Sequence, residues 1–334
     1  MAGGPMPWRM LAVLGFLMAS GVVRASDEAP LLSSSEPAPM RLTVISANVH
    51  VAAGVEPVPD QGLPAAVVRE NLGKLAELFA SAQADVILLQ EVDFGCRRTG
   101  RIDEGEFLAK RLAMHHYFAV TLDTTTDAAG NALPAVLREC RYGLAALTRA
   151  PALSTSITWL PNPPESNAWS ATEGRALLTL TLPLGENDRI AIGNTHLDYR
   201  RRDTRREQAA VIARVLPPMG WILAGDFNEP FFSLRPAPDV SETLVRLHGW
   251  DYPDTGLPLW EILSPRLAER TVAAPATYPV SLPEVTIDLV LAAGRARLVR
   301  VDRLDSAGLS DHHFVRAVVE IGPAAEEKRF SEND

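Results

Sequence analysis

Lysine is nearly missing from this chain: of 32 basic residues only Lys74, Lys110 and Lys328 are lysine. The arginine excess fits bidentate phosphate recognition, though a GC-rich genome explains it as well and is the preferred explanation. Acids number 41, giving a formal net charge of −9. That balance disfavours nonspecific nucleic-acid binding, which relies on Lys and Arg to neutralise phosphates. Aromatic residues are scarce at 6%, which argues against a base-stacking channel. Zinc patterns such as H-E-x-x-H or paired C-x-x-C are missing, and so is a G-x-S-x-G nucleophile elbow. Only two cysteines occur, Cys96 and Cys140; in an oxidising compartment such a pair is expected to bond, clamping two loops.

What is there is an ordinary globular composition, 47% hydrophobic and 22% charged over 334 residues, enough for one large α/β domain. Residues 1–25 read as a secretory signal: Arg9 supplies a positive start, Met10 to Val23 is apolar but short for a bilayer, and Val23-Arg24-Ala25 resembles a cleavage site. An uncleaved anchor is the alternative. Cleavage would remove Arg9 and Arg24 and no acid, taking the charge from −9 to −11. Residues 26–40 read as a flexible leader, 41–322 as the domain, and 323–334 as a charged tail. The expected location is periplasmic or secreted.

Along the domain, Arg41 to Asn48 alternates as a strand, and Val68, Leu72, Leu75 and Phe79 recur at helical spacing. Further strands are expected over Asp85 to Gln90, Tyr142 to Leu147, Ala176 to Leu182, Arg189 to His196, Trp221 to Ala224, Thr286 to Leu291 and Phe314 to Ile321. Helices are expected over Phe107 to Leu112 and Arg205 to Val215. Strands outnumber helices, which suits two sheets packed face to face with helices outside.

Six short polar motifs close these strands: SANVH (Ser46 to His50), LLQEVD (Leu88 to Asp93), NTHLD (Asn194 to Asp198), GDFN (Gly225 to Asn228), IDLV (Ile287 to Val290) and SDHH (Ser310 to His313). Together they supply carboxylates, amides and histidines, a mixture suited to a hard cation holding a phosphate. Glu91 follows an apolar run and sits at a strand tip, where with Asn48 and Asp311 it can hold Mg²⁺ or Mn²⁺. In an extended chain Asp226 and Asn228 project to one side, so the carboxylate can take a proton from water while the amide holds the oxygen; an Asx turn is the competing explanation of the same residues. His196 and His312 can donate to phosphoryl oxygens. Asp288, inside an apolar strand, needs a partner, and His312 is the expected one. Of the arginines after QEVD, Arg98 is the preferred phosphate reader, with Tyr142 and Arg175 as further substrate contacts. The arginines from Arg200 to Arg206 are read first as a solvated helix start.

With these motifs in this order, the chain resembles the endonuclease/exonuclease/phosphatase superfamily over roughly Arg41 to Ile321. The resemblance is nearest to a bacterial subgroup with an acidic-Arg-Thr-Gly-like loop, here Asp93 to Asp103, and a Thr-aromatic-Pro element, here Thr277-Tyr278-Pro279. It implies a four-layered α/β sandwich and Mg²⁺ or Mn²⁺ dependence. By the same resemblance Glu91 is the main metal ligand, Asn48 touches metal or phosphate, and Asp311 lies near the metal. His196 stabilises phosphoryl oxygens, Asp226 activates water, Asn228 orients it, and Asp288 pairs with His312. Two departures stand out: Tyr142-Gly143-Leu144 where many relatives have Tyr/Phe-Gly-Asn, and Ser310 to Phe314 where many have S-D-H-x-P.

The expectation is therefore an exported, divalent-metal-dependent phosphodiesterase or phosphatase that attacks a lipid or small phosphodiester with activated water, with no obligate protein partner. A secreted nuclease is the alternative within the enzyme class. A binding protein that keeps the fold without turnover is the alternative outside it.

Overall fold

The computed structural model describes residues 39–126, 133, 135–162, 173–218, 220–229, 263, 276–283 and 285–323. The expected signal, most of the leader and the charged tail lie outside the described residues.

Among the described residues eleven strands form two sheets. The first sheet contains β1 (Met40–Asn48), β2 (Val86–Asp93), β3 (His115–Asp123), β4 (Arg141–Thr148), β10 (Ala296–Leu304) and β11 (Phe314–Ile321), in the order β10-β11-β1-β2-β4-β3. The second contains β5 (Ser154–Leu160), β6 (Arg175–Pro183), β7 (Arg189–His196), β8 (Gly220–Asp226) and β9 (Asp288–Gly294), in chain order. Each sheet has one parallel pair, β1 with β2 and β7 with β8, and is otherwise antiparallel. Parallel neighbours need a long crossover. Helix α1 (Ala65–Ser81) lies in the first crossover and α3 (Arg202–Val215) in the second. Helix α2 (Glu104–Leu112) is capped by Asp103, whose side chain accepts from the Glu106 N–H at 2.9 Å.

Burial on both faces of each central strand explains why the strands read as continuous apolar runs. Val44, Val86 and Leu88 point into the core between the sheets, where they meet Leu178, Ile192 and Ile222. Their neighbours Ile45, Ile87 and Leu89 point the other way, onto Val68, Leu72, Leu75 and Phe79 of α1. Phe79 packs on Phe314 with ring centroids 5.6 Å apart. On the far side α3 contributes Ala209 and Ile212 against Trp221, Leu223 and Leu291. The layers run helix, sheet, sheet, helix, as the sequence leads one to expect.

Three strands escape the sequence reading, and each is at or near a sheet edge. β3 is only partly buried, β5 is almost wholly exposed, and β10 alternates Ala296 and Leu298 with arginines and aspartate facing water. Such strands bury too little to leave a continuous apolar signature. Cys96 and Cys140 form a disulfide, which closes the loop after β2 onto the strand start of β4. No helix among the described residues is long and apolar enough to cross a membrane.

Candidate active site

Strand register brings the polar motifs together before any side chain is considered. On β1 and β2, Asn48 is level with Gln90. On the second sheet His196, Asp226 and Asp288 form one row across β7, β8 and β9. The parallel pairs end at the same edge of the sandwich, so both sheets deliver their polar C-terminal residues to one cleft of about 230 Å³. Glycine is required one residue before this row: a Cβ on Gly225 would lie 1.9 Å from the Thr195 carbonyl oxygen, and φ is +153°.

Asn48 joins the two sheets. Fully buried, it donates through Nδ2 to Glu91 Oε1 at 3.0 Å and to Asp226 Oδ2 at 3.1 Å, while its Oδ1 accepts from the His50 N–H. Glu91 reaches it because the β2–β4 register breaks between Leu89 and Val92, with Glu91 at φ +56°; a bulge of this kind re-aims a side chain at a strand end. Asp311 arrives on the loop before β11. That loop is pinned by Ser310, whose Oγ donates to the Asn48 carbonyl at 2.7 Å and accepts from the His312 N–H at 3.1 Å. His50 Nδ1 donates to the Gly54 carbonyl and lies 3.6 Å from Asp311 Oδ1.

The histidines differ in charge. Burial works against protonating His312, but Asp288 and Asp311 outweigh it and hold the ring's pKa well above the usual histidine value. Its Nδ1 donates to Asp288 Oδ2 at 2.9 Å and its Nε2 faces Asp226 Oδ2 at 3.9 Å. Tyr278 packs on the ring at 4.7 Å. Burial, and then the neighbouring Arg175 and His312, depress the pKa of His196 well below the usual value and favour the neutral ring; its Nε2 lies 3.6 Å from Asp226 Oδ2. Burial and the neighbouring Asp288 push Asp226 up to about 7, a value suited to accepting a proton near neutral pH.

GDFN takes a different local shape from the extended one expected. Asn228 is at φ +49° and its N–H donates back to Asp226 Oδ1 at 2.8 Å, an Asx turn. Its Nδ2 donates to the Leu197 carbonyl. The turn and the cleft position coexist, since Asp226 and Asn228 both line the cleft. Asp288 opens β9 rather than lying inside it, and its Oδ1 makes no hydrogen bond.

Arg98 is the clear correction. It is buried, and its Nε and Nη2 donate to Asp93 at 2.9 and 2.7 Å, with Thr99 Oγ1 also bound to Asp93. Its guanidinium lies 5.2 Å over the Tyr142 ring, so it braces the loop behind the cleft rather than facing it. Tyr142 and Arg175 do line the cleft. The solvated reading of Arg200 to Arg206 fails for Arg205: only 3% exposed, it donates to Glu229 Oε2 at 2.7 Å and to the Asp198 carbonyl. Leu144, which stands where many relatives have an amide, is buried in the core between the sheets.

Glu173, Tyr199, Tyr278 and Ile287 also line the cleft, and the sequence reading gave none of them a site role. Tyr278 lay inside the Thr-Tyr-Pro element already noticed; Glu173 had no motif to mark it.

The donors fit a hard divalent cation. Glu91, beside the Asn48 amide, and Asp311 both bring carboxylates to the cleft wall, and no thiolate is available because both cysteines are in the disulfide. All-oxygen ligation of this kind suits Mg²⁺ or Mn²⁺ over softer metals.

The sequence profile of the Endonuclease/Exonuclease/phosphatase family matches residues 45–312. No curated protein gives a significant match. Among solved structures, an endonuclease/exonuclease/phosphatase from Beutenbergia cavernae superposes with a TM-score of 0.64 at 23% identity, covering 85% of this chain and 72% of that one. One from Bacteroides vulgatus gives 0.54 at 16% identity, covering 84% and 99%. A mannosyl-6-phosphatase from Bacteroides thetaiotaomicron gives 0.52 at 15% identity, covering 83% and 99%. At these identities the structures speak for the fold.

Proposed function

This chain belongs to the endonuclease/exonuclease/phosphatase family, whose members are metal-dependent phosphoric ester hydrolases, and we propose that it is an exported hydrolase of a lipid or small phosphodiester. The observation that carries the reading is the Asn48 amide, which holds Glu91 of one sheet and Asp226 of the other within a single cleft. Carboxylates drawn together in this way repel one another unless a cation and protons share the site.

Mg²⁺ or Mn²⁺ would be held by Glu91 and Asp311, with Asn48 alongside, and supplies Lewis-acid polarisation of the phosphoryl group. The chain's own residues do the rest. Asp226 takes the proton from the attacking water as the new P–O bond forms and the bond to the leaving oxygen breaks. The Asn228 N–H holds Asp226 Oδ1, leaving Oδ2 toward the cleft. Neutral His196 and charged His312 donate to the phosphoryl oxygens, where negative charge builds in the transition state. Asp288 keeps the His312 ring oriented and charged. No Ser or Cys nucleophile is needed.

Export is supported by the apolar stretch Met10 to Val23 and by the Cys96–Cys140 bond, which persists in oxidising compartments. N-terminal sequencing of protein recovered from a periplasmic fraction tests it; a chain that still begins at Met1 would defeat the cleaved-signal reading. The activity is tested by hydrolysis of bis-p-nitrophenyl phosphate and p-nitrophenyl phosphate with Mg²⁺, with Mn²⁺ and with chelator. Metal-dependent release from the diester is expected, and no release with either metal would overturn the assignment.

A further inference from the structure

Beside the catalytic row lies a second set of polar groups that the hydrolytic steps do not use. Glu173 and Arg175 flank Gly174 at the start of β6 and project to the same side of an extended chain. Gly174 is fixed from behind: its N–H donates to the Thr121 carbonyl at 2.8 Å, and a Cβ there would stand 3.0 Å from the Trp159 ring. Both side chains are therefore aimed into the cleft, and both are about 95% buried. Arg175 Nη1 lies 3.0 Å from Glu173 Oε1, and Nη2 donates to Oε2 at 3.3 Å. Glu173 Oε1 is in ion-pair contact but out of line for a hydrogen bond, so it keeps acceptor capacity.

A buried ion pair adds little net stability over apolar residues of similar size, and this one faces a cleft rather than a core. Acceptor and donor stand side by side, matching a hydroxyl group, which both donates and accepts. A second phosphate fits poorly, because Glu173 balances the charge of Arg175 and Glu91, Asp226 and Asp311 line the same cleft. An acyl chain fits poorly too: Ile287 is the one aliphatic side chain on the wall among the described residues, alongside the rings of Tyr142, Tyr199 and Tyr278. The volume, about 230 Å³, is below the usual range for drug-sized ligands and suits a phosphoryl group with one compact substituent.

We propose that the Glu173–Arg175 pair, with Tyr199 beside it, is a subsite for a small uncharged polyhydroxylated substituent of the phosphate, of glycerol or sugar type. This rests on the phosphoesterase reading and narrows it from lipids toward small polyol esters. Sites built to hydrogen-bond a hydroxyl discriminate strongly against analogues that lack it.

The test compares glycerol 1-phosphate with propyl phosphate as competitors of bis-p-nitrophenyl phosphate hydrolysis by the full-length protein. These probes share a carbon count and differ in hydroxyls. Wild type is expected to bind the glycerol ester at least about tenfold more tightly. In Glu173→Gln that ratio is expected to fall below about threefold. The double variant Glu173→Gln, Arg175→Gln replaces ion pair by amide pair and should lose the preference in the same way, which guards against a misfolded single variant. Equal inhibition constants in wild type, or equal weakening of both competitors by the substitutions, would overturn the proposal. So would tighter binding of 1,3-propanediol bisphosphate than of glycerol 1-phosphate. If the diester is not hydrolysed with any metal, the phosphoesterase reading itself fails, and that result is distinct from hydrolysis without hydroxyl preference.

Discussion

Gln90 of one sheet donates its side-chain N–H to Asn194 Oδ1 of the other at 2.7 Å, in the dry interior one residue before Glu91 and two before His196. Asn194 in turn donates to the carbonyls of Leu89 and Ala145, both at 2.9 Å. These bonds span the gap between the sheets directly beneath the cleft. Leu89 is the last residue in register with Ala145 before the β2 bulge, so the bridge lies directly beside the bulge.

Replacing Asn194 by Ala removes three buried hydrogen bonds, to the Leu89 and Ala145 carbonyls and from the Gln90 amide. The expected cost is about 3 kcal/mol, read by urea denaturation. Activity should fall further than stability alone accounts for, because Glu91 and His196 lose their common support. Full kcat in a folded Asn194→Ala protein would rule this out.

Asp226→Asn keeps shape and removes the proposed proton acceptor. We expect kcat to fall about a thousandfold with the melting temperature unchanged or raised, since a buried carboxylate beside Asp288 is removed. Retained turnover would show that another group takes the water's proton.

Chelation should abolish hydrolysis and lower the melting temperature, and Mg²⁺ or Mn²⁺ should restore both. At a hundred times the dissociation constant, a cation bound only to the folded state adds about 2.7 kcal/mol. Glu91→Ala should lose that thermal shift at the same metal concentration, a readout independent of turnover. An identical shift in the variant would place the cation elsewhere.

Glu104 gives a pH dependence of stability that does not involve the metal. It is fully buried, accepts from the Asp93 N–H with one oxygen, and leaves the other without a hydrogen bond. Burial, and then Asp93, raise its pKa well above 4.5. The folded state therefore holds a proton that the unfolded state releases, and stability from this group falls as pH rises above the unfolded value. Glu104→Gln should match wild type near about pH 4 and exceed it near about pH 8. A difference that stays constant with pH would mean that folding leaves the carboxyl's proton affinity unchanged.

Reducing the Cys96–Cys140 bond, which closes a sequence separation of 44, should cost up to about 4 kcal/mol by loop entropy. Tyr142 lies two residues from Cys140 and lines the cleft, so substrate KM should rise as well. Unchanged melting under reductant would remove the stabilising role.

Much of this was legible in the sequence because buried strands with polar tips leave a strong local pattern. Val86 to Leu89 followed by Glu91, and Trp221 to Ala224 followed by Asp226, mark both strand and cleft. Arg98 and Arg205 were misread for one shared reason: composition shows that an arginine is present, not whether an acid lies opposite it. Asp93 and Glu229 neutralise them in the fold. Glu173 was invisible because its meaning depends on Arg175, on a glycine held against Trp159, and on strand order, none of which a local window contains.

The first strand lies between the last strand and β2, with Met40 opposite Ile321 and Ser46 opposite Val315. A nascent chain cannot complete its first sheet until β11 has left the ribosome. The segment that leads into β11 also carries Asp311 and His312, so a product that stops before it lacks both the strand that completes the sheet and two side chains of the cleft. Pairing of β1 with β11 therefore completes the sheet and delivers these two side chains to the cleft together.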